Sequence, residues 1–145
     1  MSDAAPETVT VEQTVRISAA PETVWSFWTE PERLAEWWGV GATVEPQPGG
    51  EYRVEMGEGP VMVGNFVELD PPRRLVFSFG WEANAAGEPM APGSTTVEVT
   101  MQPDGADTVL VLRHFDMPVS HSADHAKGWA YFLGERLAAV AGRGA

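Results

Sequence analysis

Apolar residues recur at helical spacing over only one long stretch of this chain, its C-terminal end. From about position 122 to position 141 they return every three or four residues, which places them on one face of an amphipathic helix. The residues on that face are Trp129, Phe132, Leu133, Leu137 and Val140. A long helix with one apolar face must bury it against another layer, so the rest of the chain has to supply a matching apolar surface.

That surface is predicted by segments in which apolar and polar residues alternate. Thr8 to Ser18 alternates in this way, and turns containing glycine or proline, such as Asp70-Pro71-Pro72, separate the later segments. Because the crossovers are short, we expect one curved antiparallel sheet of six or seven strands. After the first strand, further strands are predicted near 52–56, 61–69, 75–81, 97–101 and 108–115.

Two short helices are predicted between the first strand and the others. Pro21 and Pro31 both stand where proline is favourable, at the first position of a helix. Gly39 and Gly41 are expected to end the second helix. A strand, two short helices, a run of strands and one long helix together predict the α+β class.

Composition and charge exclude several classes of function. Nine Lys and Arg against 21 Asp and Glu give a formal net charge of −12, which repels phosphate backbones, so no nucleic acid partner is expected. The chain has no cysteine, which rules out disulfides, thiol catalysis and a cysteine-based zinc site. No signal peptide and no membrane-spanning stretch are recognisable, so a cytoplasmic protein is predicted. At 145 residues the length suits one domain, placed at 9–141 between flexible ends at 1–8 and 142–145.

Several motifs together carry a resemblance to a known group of proteins. They are Ile17 to Trp25, Pro31 to Gly39, Gly49-Gly50, Gly64 with Glu68 to Phe77, and His125 with Gly128-Trp129 and Leu133. These motifs resemble the START-like superfamily, also called SRPBCC, which includes polyketide cyclases and birch-pollen-allergen-like proteins. They are most similar to the branch named after the activator of the ninety-kilodalton heat-shock protein ATPase, in its C-terminal-type domain. The resemblance implies a helix-grip fold in which the sheet and the long helix enclose a cavity.

An apolar pocket for a small hydrophobic ligand, such as a lipid, an aromatic compound or a polyketide, is therefore expected between sheet and helix. Trp81 is expected near its entrance, with 82–94 as a candidate lid. The same aromatic side chains also suit simple core packing, and both interpretations stay open. The predicted ligand-binding residues are Trp25, Trp28, Trp37, Met62, Phe66, Phe77, Phe79, Trp81, Val99, Met101, Leu112, His114, His125, Trp129, Phe132 and Leu133.

Histidines are the candidates for chemistry in such a pocket. His114 shares the inward side of the last strand with apolar residues, so it is predicted either to orient a ligand oxygen or to be a satisfied core histidine. Arg113 and His125 are the candidates to assist it. His121 and His125 fall on one face of the terminal helix, and Asp124 on another. Without a nearby third ligand this pair does not predict a metal site, and no cofactor is predicted.

Three functions remain open at this point. The first is a binding protein for a small hydrophobic molecule, and the second is a cyclase or hydrolase that uses His114 in the same pocket. The third is a co-chaperone or stress-related interaction module, as the name of the similar branch suggests. A protein partner or a homodimer is compatible with each of them.

Overall fold

The computed structural model describes residues 7–57, 60–82 and 90–142. Within them, seven strands form one antiparallel sheet in the order β1-β7-β6-β5-β4-β3-β2. This confirms the predicted α+β class and the antiparallel sheet. The strands are β1 Thr8–Ile17, β2 Gly41–Val44, β3 Glu51–Glu55, β4 Val61–Asp70, β5 Arg74–Phe79, β6 Thr95–Asp104 and β7 Asp107–Pro118.

Two short helices follow β1, as predicted. They are α1, Pro21–Thr29, and α2, Pro31–Trp37, each with its proline at the helix start. The indole of Trp37 donates a hydrogen bond of 2.7 Å to the carbonyl of Phe27, which ties α2 to α1. Past Gly39, whose φ of +83° turns the chain, β2 pairs with β3. The sequence did not predict β2, because its four residues are too few to show an alternation.

The C-terminal helix consists of three consecutive pieces. These are α3, Val119–Ala130, a π-helical segment, Tyr131–Leu137, and α4, Ala138–Gly142. The helix buries Trp129, Leu133 and Leu137 completely or nearly so. These are three of the five residues in the predicted apolar stripe, and Phe132 and Val140 pack against the same core while partly exposed.

Strand alternation sends one set of side chains into the space under this helix. On β6 the buried residues are Thr95, Val97, Val99 and Met101, and on β7 they include Leu110, Leu112 and His114. Their neighbours on the same strands point away from the helix. Gly64 on β4 shows how closely the strands approach, because a Cβ there would overlap the carbonyl oxygen of Ser78.

Aromatic rings fill the middle of the space between sheet and helix. Trp28 packs 4.7 Å from Trp37 and 6.3 Å from Phe77, measured between ring centroids. Tyr52 lies 4.5 Å from Phe66 and donates a 2.6 Å hydrogen bond to the carbonyl of Trp28. These rings are buried, so the centre of the domain is packed core and open space lies toward one end.

Candidate ligand-binding cleft

An apolar cleft of about 160 Å³ opens between the end of β5 and the C-terminal helix. We call it the aromatic cleft. Most of its wall consists of rings, of which Trp81, His125 and Phe132 are half-buried and Trp38, Phe79 and Trp129 are nearly fully buried. The lining residues are Trp38, Phe79, Trp81, Asp124, His125, Gly128, Trp129 and Phe132.

Backbone contacts fix Trp81 at the side of the cleft. The Trp81 N–H donates to the carbonyl of Met90 at 2.7 Å, and the Glu82 N–H donates to the carbonyl of Val61 at 2.9 Å. Gly80 permits this arrangement, because a Cβ on it would overlap the carbonyl oxygen of Ala91. A side chain at position 80 would therefore push the ring of Trp81 out of place.

The rings of the cleft stand at several orientations. Trp38 and Phe79 are nearly parallel, with an angle of 6° and centroids 6.3 Å apart. Trp81 stands at 82° to Phe79 at 5.4 Å, and Trp129 is tilted by 51° from Trp38 at 5.3 Å. A ligand in the cleft is therefore bordered by aromatic groups from more than one direction.

The imidazole of His125 lies in the wall of the cleft, and both of its ring nitrogens have hydrogen-bond partners. Its Nδ1 lies 2.9 Å from the carbonyl oxygen of His121, which can only accept, so Nδ1 carries the proton. The indole Nε1 of Trp81 can only donate, and it donates to Nε2 of His125 at 3.3 Å. Both ring nitrogens thus have a protein partner, and the side chain links the helix to Trp81.

His114 is a buried neutral histidine with a complete set of hydrogen bonds. Trp129 Nε1 donates to its Nδ1 at 3.1 Å, so its Nε2 carries the proton and donates to Thr95 Oγ1 at 2.8 Å. The Thr95 hydroxyl in turn donates a hydrogen bond of 2.7 Å to the carbonyl of Phe79. This agrees with the core-histidine interpretation, with a hydroxyl and an indole as partners.

The surroundings of His114 also oppose its protonation. Burial, and to a smaller extent the nearby His125, lowers the pKa of His114 from 6.5 to about 3. The imidazole is fully buried and does not line the aromatic cleft. Phe79 and Trp129, which contact His114, line the cleft, so this candidate catalytic residue lies behind the wall of the cleft.

The structure brings together one part of the predicted site. Phe79, Trp81, His125, Trp129 and Phe132 line the aromatic cleft. Most other predicted contacts lie in the packed core, and Trp25 is half-buried against it. The residues outside the lining are Trp25, Trp28, Trp37, Met62, Phe66, Phe77, Val99, Met101, Leu112, His114 and Leu133.

Arg113 lies on the opposite face of β7 from His114. Its Nε bonds Glu12 at 2.7 Å and its Nη1 lies 3.4 Å from Glu98, both on neighbouring strands. The side chain is 42% exposed and points away from the C-terminal helix side of the sheet. The structure thus places Arg113 in an outer ion-pair network and not beside the cleft.

Trp38, Asp124 and Gly128 line the cleft although the sequence analysis did not assign them to it. Asp124 was expected on a different helical face from His125, yet it also borders the cleft because the opening is wide enough to span adjacent residues of α3. Trp38 was visible as part of the apolar side of α2. Gly128 leaves the space that a side chain would occupy, since a Cβ there would meet nothing within 4 Å.

The predicted lid at 82–94 falls largely on residues 83–89, which lie outside the described residues. Another groove, of about 510 Å³ between α1, α2 and α4, is more open and contains Glu22, Arg33 and Glu36. Its mixed charges fit a solvated surface groove better than a ligand pocket.

In the described part of the chain, no group of three or more metal-ligating side chains occurs. None of its helices is long and apolar enough to cross a membrane.

Comparison with known proteins identifies relatives of the whole domain. A family model described as "Activator of Hsp90 ATPase homolog 1-like protein" matches residues 18–142. The solved structure of an AHSA1-like protein from Rhizobium etli is 38% identical, with a TM-score of 0.74. That match covers 98% of this chain and 87% of the Rhizobium chain. No curated protein matches the sequence at a significant level.

Two further solved structures share the fold. DynU16, a protein of the dynemicin biosynthetic locus, is 27% identical with a TM-score of 0.76 over 89% of this chain. This chain spans 45% of the length of DynU16. An HSP90 activator from Plasmodium falciparum is 23% identical with a TM-score of 0.70, and the match covers 87% of this chain and 91% of that one.

Proposed function

Because this chain belongs to the family of Activator of Hsp90 ATPase homolog 1-like proteins, we propose that it uses its helix-grip fold to bind a small hydrophobic ligand, and that the ligand enters the aromatic cleft. The observation that carries this proposal is the cleft itself. Five of its eight described lining residues are Trp or Phe. Ligand pockets in proteins typically combine such apolar walls with a small number of placed polar groups. Here those groups are His125 and Asp124.

The volume of the cleft limits what it can hold. An engineered apolar cavity of about 150 Å³ accommodates one benzene molecule, so about 160 Å³ suits one ring-sized group. An aromatic compound fits this space whole. A lipid or a polyketide would place one end in the cleft and extend the remainder beyond it.

The expected affinity follows from the size of the occupant. A ligand of about eight heavy atoms that contributes roughly 0.6 kcal/mol per atom binds with about 5 kcal/mol, a dissociation constant near 0.2 mM. Longer ligands that also cover apolar surface outside the cleft gain about 25 cal/mol for each further Å² they bury. Micromolar affinity is then within reach of a flexible hydrophobic molecule.

Two glycines of the C-terminal helix provide a matched test. Gly128 lines the cleft and Gly134 does not, and a Cβ at either position would meet nothing within 4 Å. A leucine in α3 points back toward the preceding turn, so Gly128→Leu should fill the space beside His125. We expect Gly128→Leu to weaken binding of benzyl alcohol at least tenfold in isothermal titration calorimetry, and Gly134→Leu to leave it unchanged.

Loss of folding cannot account for the expected result. Replacing a helical glycine by leucine favours the helix by up to about 1 kcal/mol, so both variants should melt no lower than the parent protein. Equal binding of benzyl alcohol by the parent and Gly128→Leu would show that the cleft is not the site. Absence of binding by the parent, for benzyl alcohol and for a longer aryl alcohol, would end the proposal.

A second candidate function is a co-chaperone or stress-related interaction module. It is favoured by the packed rings in the centre of the domain, which leave only a small cleft for a ligand. The description of the family and the structural similarity to the HSP90 activator from Plasmodium falciparum also favour this function. A change in the ATPase rate of a purified ninety-kilodalton chaperone on adding this protein would support this function, and an unchanged rate with no complex on a sizing column would exclude it.

A further inference from the structure

We propose that the preferred occupant of the aromatic cleft is an organic cation, with an ammonium group of about the size of trimethylammonium against the rings. The inference rests on the proposed binding in the cleft and names the class of ligand. It is carried by two features that the general proposal does not use. These are the arrangement of the rings and the distribution of charge around them.

The rings supply the attraction that an ammonium group needs without hydrogen bonds. The face of an aromatic ring is the negative end of its quadrupole, and a cation within about 6 Å of the ring centre is attracted to it. Trp38 and Phe79 are nearly parallel, while Trp81 is close to perpendicular to Phe79. Walls at different orientations can contact a compact, rounded cation on several sides, so an ammonium group can lie near more than one ring at once.

Among the described residues that line the cleft, Asp124 is the only one with a charged side chain, and its carboxylate is negative. It lies on the exposed side of α3, where it can pair with a cation that protrudes from the rings. Lys127 is close in sequence but is exposed and does not line the cleft. The described lining therefore places a negative charge beside the rings and includes no Lys or Arg.

His125 does not compete with a bound cation. Its two ring nitrogens are already engaged, by the carbonyl of His121 and by the indole of Trp81. Among the described lining residues, Asp124 thus remains the charged group that is available to a ligand.

The charge of the whole chain acts in the same direction. A formal net charge of −12 attracts cations at long range and repels anionic ligands. A carboxylate ligand such as a fatty acid would meet Asp124 and would find no Lys or Arg among the described residues that line the cleft. Of the hydrophobic ligands that fit by size, those with a cationic group are the best matched.

The test compares a cation with its neutral isostere. Choline and 3,3-dimethylbutan-1-ol have nearly the same shape and differ in charge, so their affinities isolate the electrostatic contribution. We expect choline to bind at least tenfold more tightly in calorimetric titrations at low ionic strength. Asp124→Asn should reduce the affinity for choline at least threefold and leave that for the alcohol unchanged.

Glu135→Gln is the matched control. It removes the same charge from the C-terminal helix at a residue of another groove, so it changes the net charge equally without touching the aromatic cleft. It should keep the preference for choline. A threefold loss in this variant as well would assign the effect to net charge and would overturn the role of Asp124.

The two proposals fail in different ways. If the alcohol binds as tightly as choline and Gly128→Leu weakens both, the cleft is a binding site but the preference for a cation is wrong. If neither compound binds and benzyl alcohol does not bind, the proposed function fails together with this inference. Thermal melting of each variant confirms that the differences arise in folded protein.

Discussion

Among single residues, the buried imidazole of His114 makes the most specific polar contacts in the core. Three hydrogen bonds join Trp129, His114, Thr95 and the carbonyl of Phe79 in one chain, and each has a defined direction. The chain connects the C-terminal helix to β6 and β7 through the core. It gives His114 a structural role, since a donor from outside would have to displace Trp129 to reach Nδ1.

This role predicts a pH dependence of stability. The folded protein keeps His114 neutral down to about pH 3, while the unfolded chain takes up a proton near pH 6.5. The unfolded state therefore binds more protons between these values, and stability that is complete above pH 6.5 falls as the pH decreases. One proton corresponds to at most about 1.4 kcal/mol of unfolding free energy per pH unit.

Denaturant unfolding at several pH values checks this prediction against His114→Gln. The glutamine amide can still accept from Trp129 and donate to Thr95, but it does not titrate. The parent protein should lose stability between pH 6.5 and 4 more steeply than the variant, whereas acid effects on carboxylates are common to both and cancel. Parallel curves would show that His114 is not protected from protonation.

At the scale of elements, a row of charged residues crosses the outer face of the sheet. Glu12 on β1, Arg113 on β7, Glu98 on β6, Arg74 on β5 and Glu68 on β4 alternate in sign along neighbouring strands. Glu98 is the centre of the row, 2.8 Å from Arg74 and 3.4 Å from Arg113, and its side chain is only 17% exposed. Hydrogen bonding from Arg74 above all, and also from Arg113, lowers the pKa of Glu98.

Removing the central charge should weaken the sheet. Glu98→Gln loses two ion pairs and removes the carboxylate that lies between Arg74 and Arg113, so we expect a loss of about 1 kcal/mol of unfolding free energy. Glu12→Gln, at the exposed end of the row, loses one pair and should cost roughly half as much. Chemical denaturation at pH 7 measures both, and equal losses would contradict the central position of Glu98. Ligand affinity should not change, because the row lies on the face away from the cleft.

Helices and strands could be predicted from the sequence where their periodic pattern of apolar residues extends over enough positions. The stripe from Trp129 to Val140 and the alternation on β6 and β7 gave the terminal helix and its sheet. The strand β2 was not predicted, because four residues after a glycine carry no pattern. Asp124 was assigned to another face, since helical spacing describes directions around an axis but not the width of an opening between elements.

At the scale of the whole molecule, the sequence predicted the fold and only part of the site. Phe79, Trp81, His125, Trp129 and Phe132 do border open space, and this followed from their positions at strand ends and on the inner helix face. How far the centre is filled could not be predicted, because it depends on how Trp28, Trp37 and Phe77 pack against one another. The family name likewise describes an architecture that serves more than one function.

The most direct test of ligand binding is a nuclear magnetic resonance titration that follows the six tryptophan indole N–H signals. With benzyl alcohol or choline, the signals of Trp81 and Trp129 should shift and saturate, since both indoles border the cleft and hydrogen-bond to histidines. Trp25, which does not line the cleft, should not shift. Gly128→Leu should abolish the shifts and Gly134→Leu should keep them. Unmoved Trp81 and Trp129 signals at saturating ligand, or equal shifts in both leucine variants, would contradict a binding site in the aromatic cleft.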